Sequence, residues 1–146
     1  MSKADQATDR FREGFMCSQA VFSTYSADLG LSPELALRIA EPLGGGICST
    51  GETCGAVSGA LLLIGLKHGR TAADDTEAKE RTKAVGREFM AQFEAWHGGT
   101  KCKELLNCDI GTDAGLAHAR ANDLFGQICP HLVHDAAEIV EGLLGE

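Results

Sequence analysis

The sequence predicts an all-α fold, a helical bundle of about five or six helices with a Gly-rich loop leading into a central helix. Three observations carry that expectation. Apolar residues recur at helical spacing in one segment after another, no strand-like alternation persists, and Ser, Pro and Gly fall where helices begin and end. At 146 residues the chain suits a single domain, 1–146. A domain of that size buries roughly 68–70% of its unfolded surface and needs no disulfide to fold.

The first segment, about Ala4 to Leu29, sets Phe11, Phe15, Phe22, Tyr25 and Leu29 in one helical stripe, with Cys17 and Val21 at its edge. Cys17 is therefore expected beside the core, half-buried. Gly30 ends this helix. Ser32 caps a second one, Pro33 occupies its first turn, and Leu35, Leu37, Ile39 and Ala40 carry it to Pro42.

The run Gly44-Gly45-Gly46-Ile47-Cys48-Ser49-Thr50-Gly51-Glu52-Thr53-Cys54-Gly55-Ala56-Val57-Ser58-Gly59 reads as a loop entering a helix that ends near His68. Ser49 with Glu52 forms a candidate capping box, and Thr50 or Thr53 are alternative caps. Gly51, Gly55 and Gly59, spaced four apart, would line one helix face. Each costs about 0.8–1 kcal/mol of helix stability relative to Ala, so another backbone or a prosthetic group is expected against that face.

A charged segment from Asp74 follows, with Val85, Phe89, Phe93 and Trp96 at helical spacing down to His97-Gly98-Gly99. Its opening acids need no functional reading, because negative charge is favourable at a helix start. Cys102 to Cys108 reads as a short turn of helix and 111–115 as loop. Helical pieces over Leu116–Phe125 and about Cys129–Leu144 complete the chain.

Composition excludes several functions. The net charge of −8, from 21 acidic and 13 basic residues, repels phosphate backbones, and 5% aromatics leaves few stacking platforms, so no nucleic-acid partner is expected. The longest apolar stretch, Ala56 to Leu66, is broken by Ser58 and Gly59 and falls short of the ~20 residues of a membrane span, so no membrane association is expected. The polar start Met1-Ser2-Lys3-Ala4 offers no apolar signal core, and the expected location is cytoplasmic. Thiols there stay reduced, so clustered cysteines point to metal binding or redox chemistry. Gly46-x-x-x-x-Gly51 resembles a phosphate loop, but Glu52-Thr53 stands where Lys-Ser/Thr is needed, which rejects nucleotide binding.

The chemistry is therefore sought in six cysteines, at 17, 48, 54, 102, 108 and 129. No Cys-x-x-Cys pair occurs, and c-type haem is excluded with Cys-x-x-Cys-His. Cys48/Cys54 and Cys102/Cys108 share a six-residue separation that converges only across a loop or turn. Cys54 is the leading candidate nucleophile. At a helix start its thiolate would gain from free N–H groups and the helix dipole, and Gly55 would leave the sulfur accessible. His131 and His134 are read as solvated rather than as ligands with Cys129. His68 and His97 sit near helix C-termini, where a partly positive ring is favourable without a catalytic role.

With Cys17, Cys54-Gly55-Ala56-Val57-Ser58-Gly59, Cys102 and Cys129 in view, the chain resembles the C_GCAxxG_C_C family of redox-active proteins. Glu13-Gly14-Phe15-x-Cys17, Gly44-Gly45-Gly46-Ile47, Thr50-Gly51-Glu52-Thr53 and Cys102-x-Glu104-Leu105-Leu106 extend the likeness over most of the chain. The resemblance implies a redox protein whose four cysteines are Cys17, Cys54, Cys102 and Cys129, with Cys48 an extra and Cys108 recurring in some members. A weaker likeness to the non-haem part of split-Soret cytochromes implies an iron–sulfur centre.

Three readings follow. In a thiol oxidoreductase, Cys54 attacks and Cys17, Cys48, Cys102 or Cys129 resolves, with a redox partner protein or a small thiol as partner. In a metal-thiolate protein, Cys17, Cys54, Cys102 and Cys129 hold an iron–sulfur cluster or zinc, possible extras being Cys48 and Cys108, and a homodimer could share the centre. In a structural helical domain the cysteines are core filler.

Overall fold

The computed structural model describes residues 1–145. Eight α-helices occur among them: α1 Lys3–Arg12, α2 Cys17–Ser26, α3 Pro33–Ala40, α4 Gly55–His68, α5 Thr76–His97, α6 Cys102–Leu105, α7 Asp113–Ala121 and α8 Leu124–Leu144. Short 3-10 turns at Ala27–Leu29 and Glu41–Leu43 finish α2 and α3. No strand is present among the described residues. The all-α expectation holds, with more helices than the five or six expected.

Local chemistry sets most of the ends. Ser2 and Asp5 cap α1 reciprocally, and Ser32 accepts the Leu35 N–H at 3.3 Å with Pro33 in the first turn of α3. Asp75 accepts the Ala78 N–H at 3.1 Å to start α5, which Gly98 ends with φ +81°. Thr112 starts α7 by accepting the Gly115 N–H at 3.0 Å.

One extra break raises the count, and one expected break falls earlier than expected. The single helix expected over Ala4 to Leu29 is divided at Gly14, whose φ of +115° no helix accommodates. The aromatic stripe is divided with it: Phe22 and Tyr25 are buried, while Phe15 is 36% exposed. Near the C-terminus Asp123, at φ +50°, separates α7 from α8. As a result α7 begins inside the expected 111–115 loop, and α8 begins five residues before Cys129. The helix entered from the glycine loop also starts later than a cap at Ser49, Thr50 or Thr53 requires: Cys54 holds the cap position, and Gly51 stays in the loop at φ +77°.

Helix α4 is the central element, packed on α2, α3's following turn, α5 and α8. Its Val57, Ala60, Leu63 and Ile64 meet Val21 and Phe22 of α2, Phe89 and Phe93 of α5, and Val133 and Val140 of α8 in the main core. A smaller cluster of Cys102, Leu106, Ile110, Ala119 and Cys129 closes the end where α6, α7 and α8 meet.

Candidate functional site

Helices α2 and α4 approach backbone to backbone. A Cβ on Gly55 would lie 2.9 Å from the Ser18 nitrogen, and one on Gly59 would lie 2.7 Å from the Ser18 carbonyl oxygen. Two of the three glycines thus perform the close approach expected of them, toward a helix backbone. Gly51 packs elsewhere, its missing Cβ lying 2.8 Å from an Asp109 carboxylate oxygen. This contact brings Cys17, first residue of α2, beside Cys54 at the start of α4. The Met16 N–H just before Cys17 donates to the Gln19 side chain at 2.9 Å, which fixes the entry to α2.

A second device fixes Cys54 against Cys102. Segments 51–54 and 100–103 run antiparallel, with the Cys54 N–H donating to Thr100 at 2.8 Å. In return the Cys102 N–H donates to the Glu52 carbonyl at 2.6 Å and the Lys103 N–H to that of Gly51 at 3.0 Å. The Lys103 ammonium and Glu52 carboxylate sit 3.4 Å apart across the same pair of segments. Cys129 is delivered from α8, one residue before Pro130.

The glycine loop folds as a left-handed turn. Gly45, Gly46, Ile47, Cys48 and Ser49 have φ values of 66, 71, 64, 52 and 58°. For β-branched Ile47 this conformation is an outlier, held here by N–H donation from Cys48 to Pro42 at 2.7 Å and from Glu52 to Gly46 at 2.8 Å.

The outcome is a mostly apolar chamber of about 390 Å³, onto which Cys17, Cys54, Cys102 and Cys129 all open, as do Gly45, Gly46, Ser49 and Gly55. Four cysteines from four helices thus converge. Cys48 is exposed and Cys108 half-buried, and neither lines the chamber. Arg120 of α7 also lines it, a residue that no sequence motif singled out.

The thiols are not alike. Burial pushes the Cys54 pKa up to about 11, outweighing the lowering effect of the Ala56 and Val57 N–H groups at the helix start. At 4% exposure it is neither the accessible sulfur nor the thiolate that its setting suggested. Burial, then the nearby Cys54 and Cys129, raises Cys102 to about 12. Cys17, partly exposed as expected, is raised well above its ordinary value, first by hydrogen bonding to Cys129 and then by burial. Cys129 moves the other way, because the Cys17 thiol hydrogen-bonds its ionised form. It is the one thiol of the four that the site favours as a thiolate. A Cys17→Ala variant is therefore expected to slow iodoacetamide alkylation of Cys129 near neutral pH several-fold, followed by peptide mass mapping; an unchanged rate would refute this proton sharing.

The histidines stay apart from the chamber. His134 pairs with Asp5 at 3.3 Å, and His97 packs at a tilt against Phe93 with its Nε2 2.9 Å from Asp135. Ligand-type atoms of His134, Asp135 and Glu138 lie within 4.8 Å of one another, but neither Cys129 nor His131 joins them. Among the described residues, no three cysteine sulfurs meet that same distance. Four thiolates around one zinc, at Zn–S of about 2.3 Å, would stand about 3.8 Å apart. The chamber does not fit a single zinc ion in this form, whereas a multi-iron cluster spreads its four thiolates more widely.

Fold and site together define a class: an all-helical protein whose cysteines, drawn from separate helices, share one internal chamber. The sequence profile of the C_GCAxxG_C_C family, described as "Putative redox-active protein", matches residues 15–143. The chain belongs to that family. Neither a curated protein nor a solved structure matches it. No helix among the described residues is long and apolar enough to cross a membrane.

Proposed function

We propose that this protein is an electron-transfer protein holding an iron–sulfur cluster on Cys17, Cys54, Cys102 and Cys129. The observation that carries the reading is the convergence of four thiols from four helices on one mostly apolar chamber, three of them buried. Four thiolates are the usual complement of such a cluster, which when bound supplies one-electron transfer at a potential tuned by its surroundings. The raised pKa values of Cys54 and Cys102 keep both protonated at neutral pH, so they are poor nucleophiles there, and ligation would release their protons. The Ala56 and Val57 N–H groups at the helix start, which favour the ionised Cys54, would help hold its negative charge. The apolar walls would keep water from the sulfurs.

Protein purified without oxygen is expected to show thiolate-to-iron charge-transfer absorbance with matching iron and acid-labile sulfide. Alanine at any one of the four positions should remove most of the iron, while Cys48→Ala and Cys108→Ala should retain it. Iron retained in all six variants would refute the ligand set.

A second reading rests on Cys17 and Cys129 lining the same chamber, where Cys17 lowers the pKa of Cys129. In that reading the Cys129 thiolate attacks a disulfide substrate and expels one thiolate. Cys17, after losing its proton, then displaces the second, leaving a Cys17–Cys129 disulfide and two reduced thiols. A colourless, metal-free protein that forms this disulfide reversibly would establish it in place of the cluster.

A further inference from the structure

The chamber is larger than its thiols require. Much of its wall, including Phe11, Leu106, Ile110, Leu116 and Phe125, carries no atom that could ligate iron. Its volume of about 390 Å³ falls in the range of pockets that take small organic molecules, roughly 300–1,000 Å³. Phenyl and branched aliphatic side chains make that part of the wall suited to an apolar body.

The charge on the wall is equally specific. Arg120 is its one charged residue, and no carboxylate lines the chamber although the chain as a whole carries a net charge of −8. Among the described residues the Arg120 guanidinium has no ion-pair partner. Its residue is solvent-exposed, so the cation retains access to a ligand arriving from water. A guanidinium presents a fork of N–H donors matched to a carboxylate or similar oxyanion, and beside an apolar wall that pairing selects for sign as well as for shape.

We infer that the chamber binds a small apolar molecule bearing one anionic group, with the anion on Arg120 and the apolar body packed beside the thiols. The inference rests on the chamber being the reaction centre, as proposed above, and names the class of co-substrate it admits.

Three probes with one apolar body and different charge test it: phenylbutyrate, phenylbutanol and phenylbutylamine, titrated calorimetrically into the purified full chain. The acid is expected to bind about tenfold more tightly than the alcohol, with the amine weakest. Arg120→Gln should reduce the acid to the affinity of the alcohol and leave the alcohol unchanged, and Arg120→Lys should keep part of the difference. No saturable binding, or an acid preference that survives Arg120→Gln, would overturn the inference. Iron and sulfide measured on the same samples separate the two proposals. Iron present without an acid preference removes this inference alone, whereas an Arg120-dependent preference in iron-free protein supports it and removes the cluster.

Discussion

Replacing Gly59 with valine is expected to cost a large share of the stability of the fold, while Gly65→Ala in the same helix is expected to raise it. A Cβ at Gly59 would stand 2.7 Å from the Ser18 carbonyl oxygen and 3.2 Å from the Ser18 Cα. Both are backbone atoms, so no side-chain rotation relieves the clash, and α2 must move off α4. Overpacking of this kind typically costs about 1–3 kcal/mol, and a branched side chain at a backbone contact raises that to roughly 3–5 kcal/mol. Against a typical domain stability of about 5–15 kcal/mol, that is a large share. At Gly65 a Cβ meets nothing within 4 Å, so alanine there collects only the helix-propensity gain of about 0.8–1 kcal/mol. Urea midpoints followed by far-UV circular dichroism decide the matter. A wild-type midpoint for Gly59→Val would mean the α2–α4 contact is looser than described.

The reduced, metal-free protein is expected to lose stability steeply above about pH 9. Cys54 and Cys102 ordinarily titrate near 9, and in the folded chain they are raised to about 11 and about 12. Below pH 9 both are protonated whether the chain is folded or not, and their contribution is fully present. Above it the unfolded chain ionises first, binds fewer protons than the native state, and is favoured as pH climbs toward the folded values. At 1.36 kcal/mol per pKa unit, Cys54 alone accounts for roughly 2 kcal/mol by pH 11. Cys102 acts with the same sign up to about pH 12, and Tyr25, also raised by burial, joins once pH passes its ordinary value of 10. Cys129 is shifted down and contributes in the opposite sense, its stabilisation being lost as pH falls through its folded value. Urea midpoints measured from pH 8 to pH 11 should fall, and Cys54→Ala should flatten the slope whatever it does to the midpoint at pH 8. A flat wild-type profile would contradict the burial assigned to these thiols.

The helix ends written in local chemistry were legible: Ser32-Pro33, Asp75, Gly98 and the limit at His68 all stand where the sequence predicts. The break at Gly14 was not, because apolar periodicity runs on across it and a positive φ leaves no trace in hydropathy; the division expected after Phe125 falls earlier, at Asp123. The left-handed conformation of Ile47 was hidden for a related reason, since a β-branched residue advertises extended backbone rather than a left-handed turn. The four cysteines were visible through family resemblance, but their convergence depends on contacts between segments far apart, Ser18 against Gly59 and 51–54 against 100–103. The order of acidity among the thiols was misjudged at Cys54 because a helix start is visible in sequence and desolvation is not. Arg120 carried no signal, lying alone on a short amphipathic helix.

The distribution of the four thiols along the chain, from residue 17 to residue 129, also bears on how the centre comes into being. A nascent chain that has not yet exposed α8 to solvent has three of the donors and lacks the partner that holds the Cys17 proton. Segments 51–54 and 100–103 likewise cannot meet until the whole of α5 has been made. No fragment that emerges early during synthesis contains all four thiols, so anything they hold together is taken up only once α8 has been made.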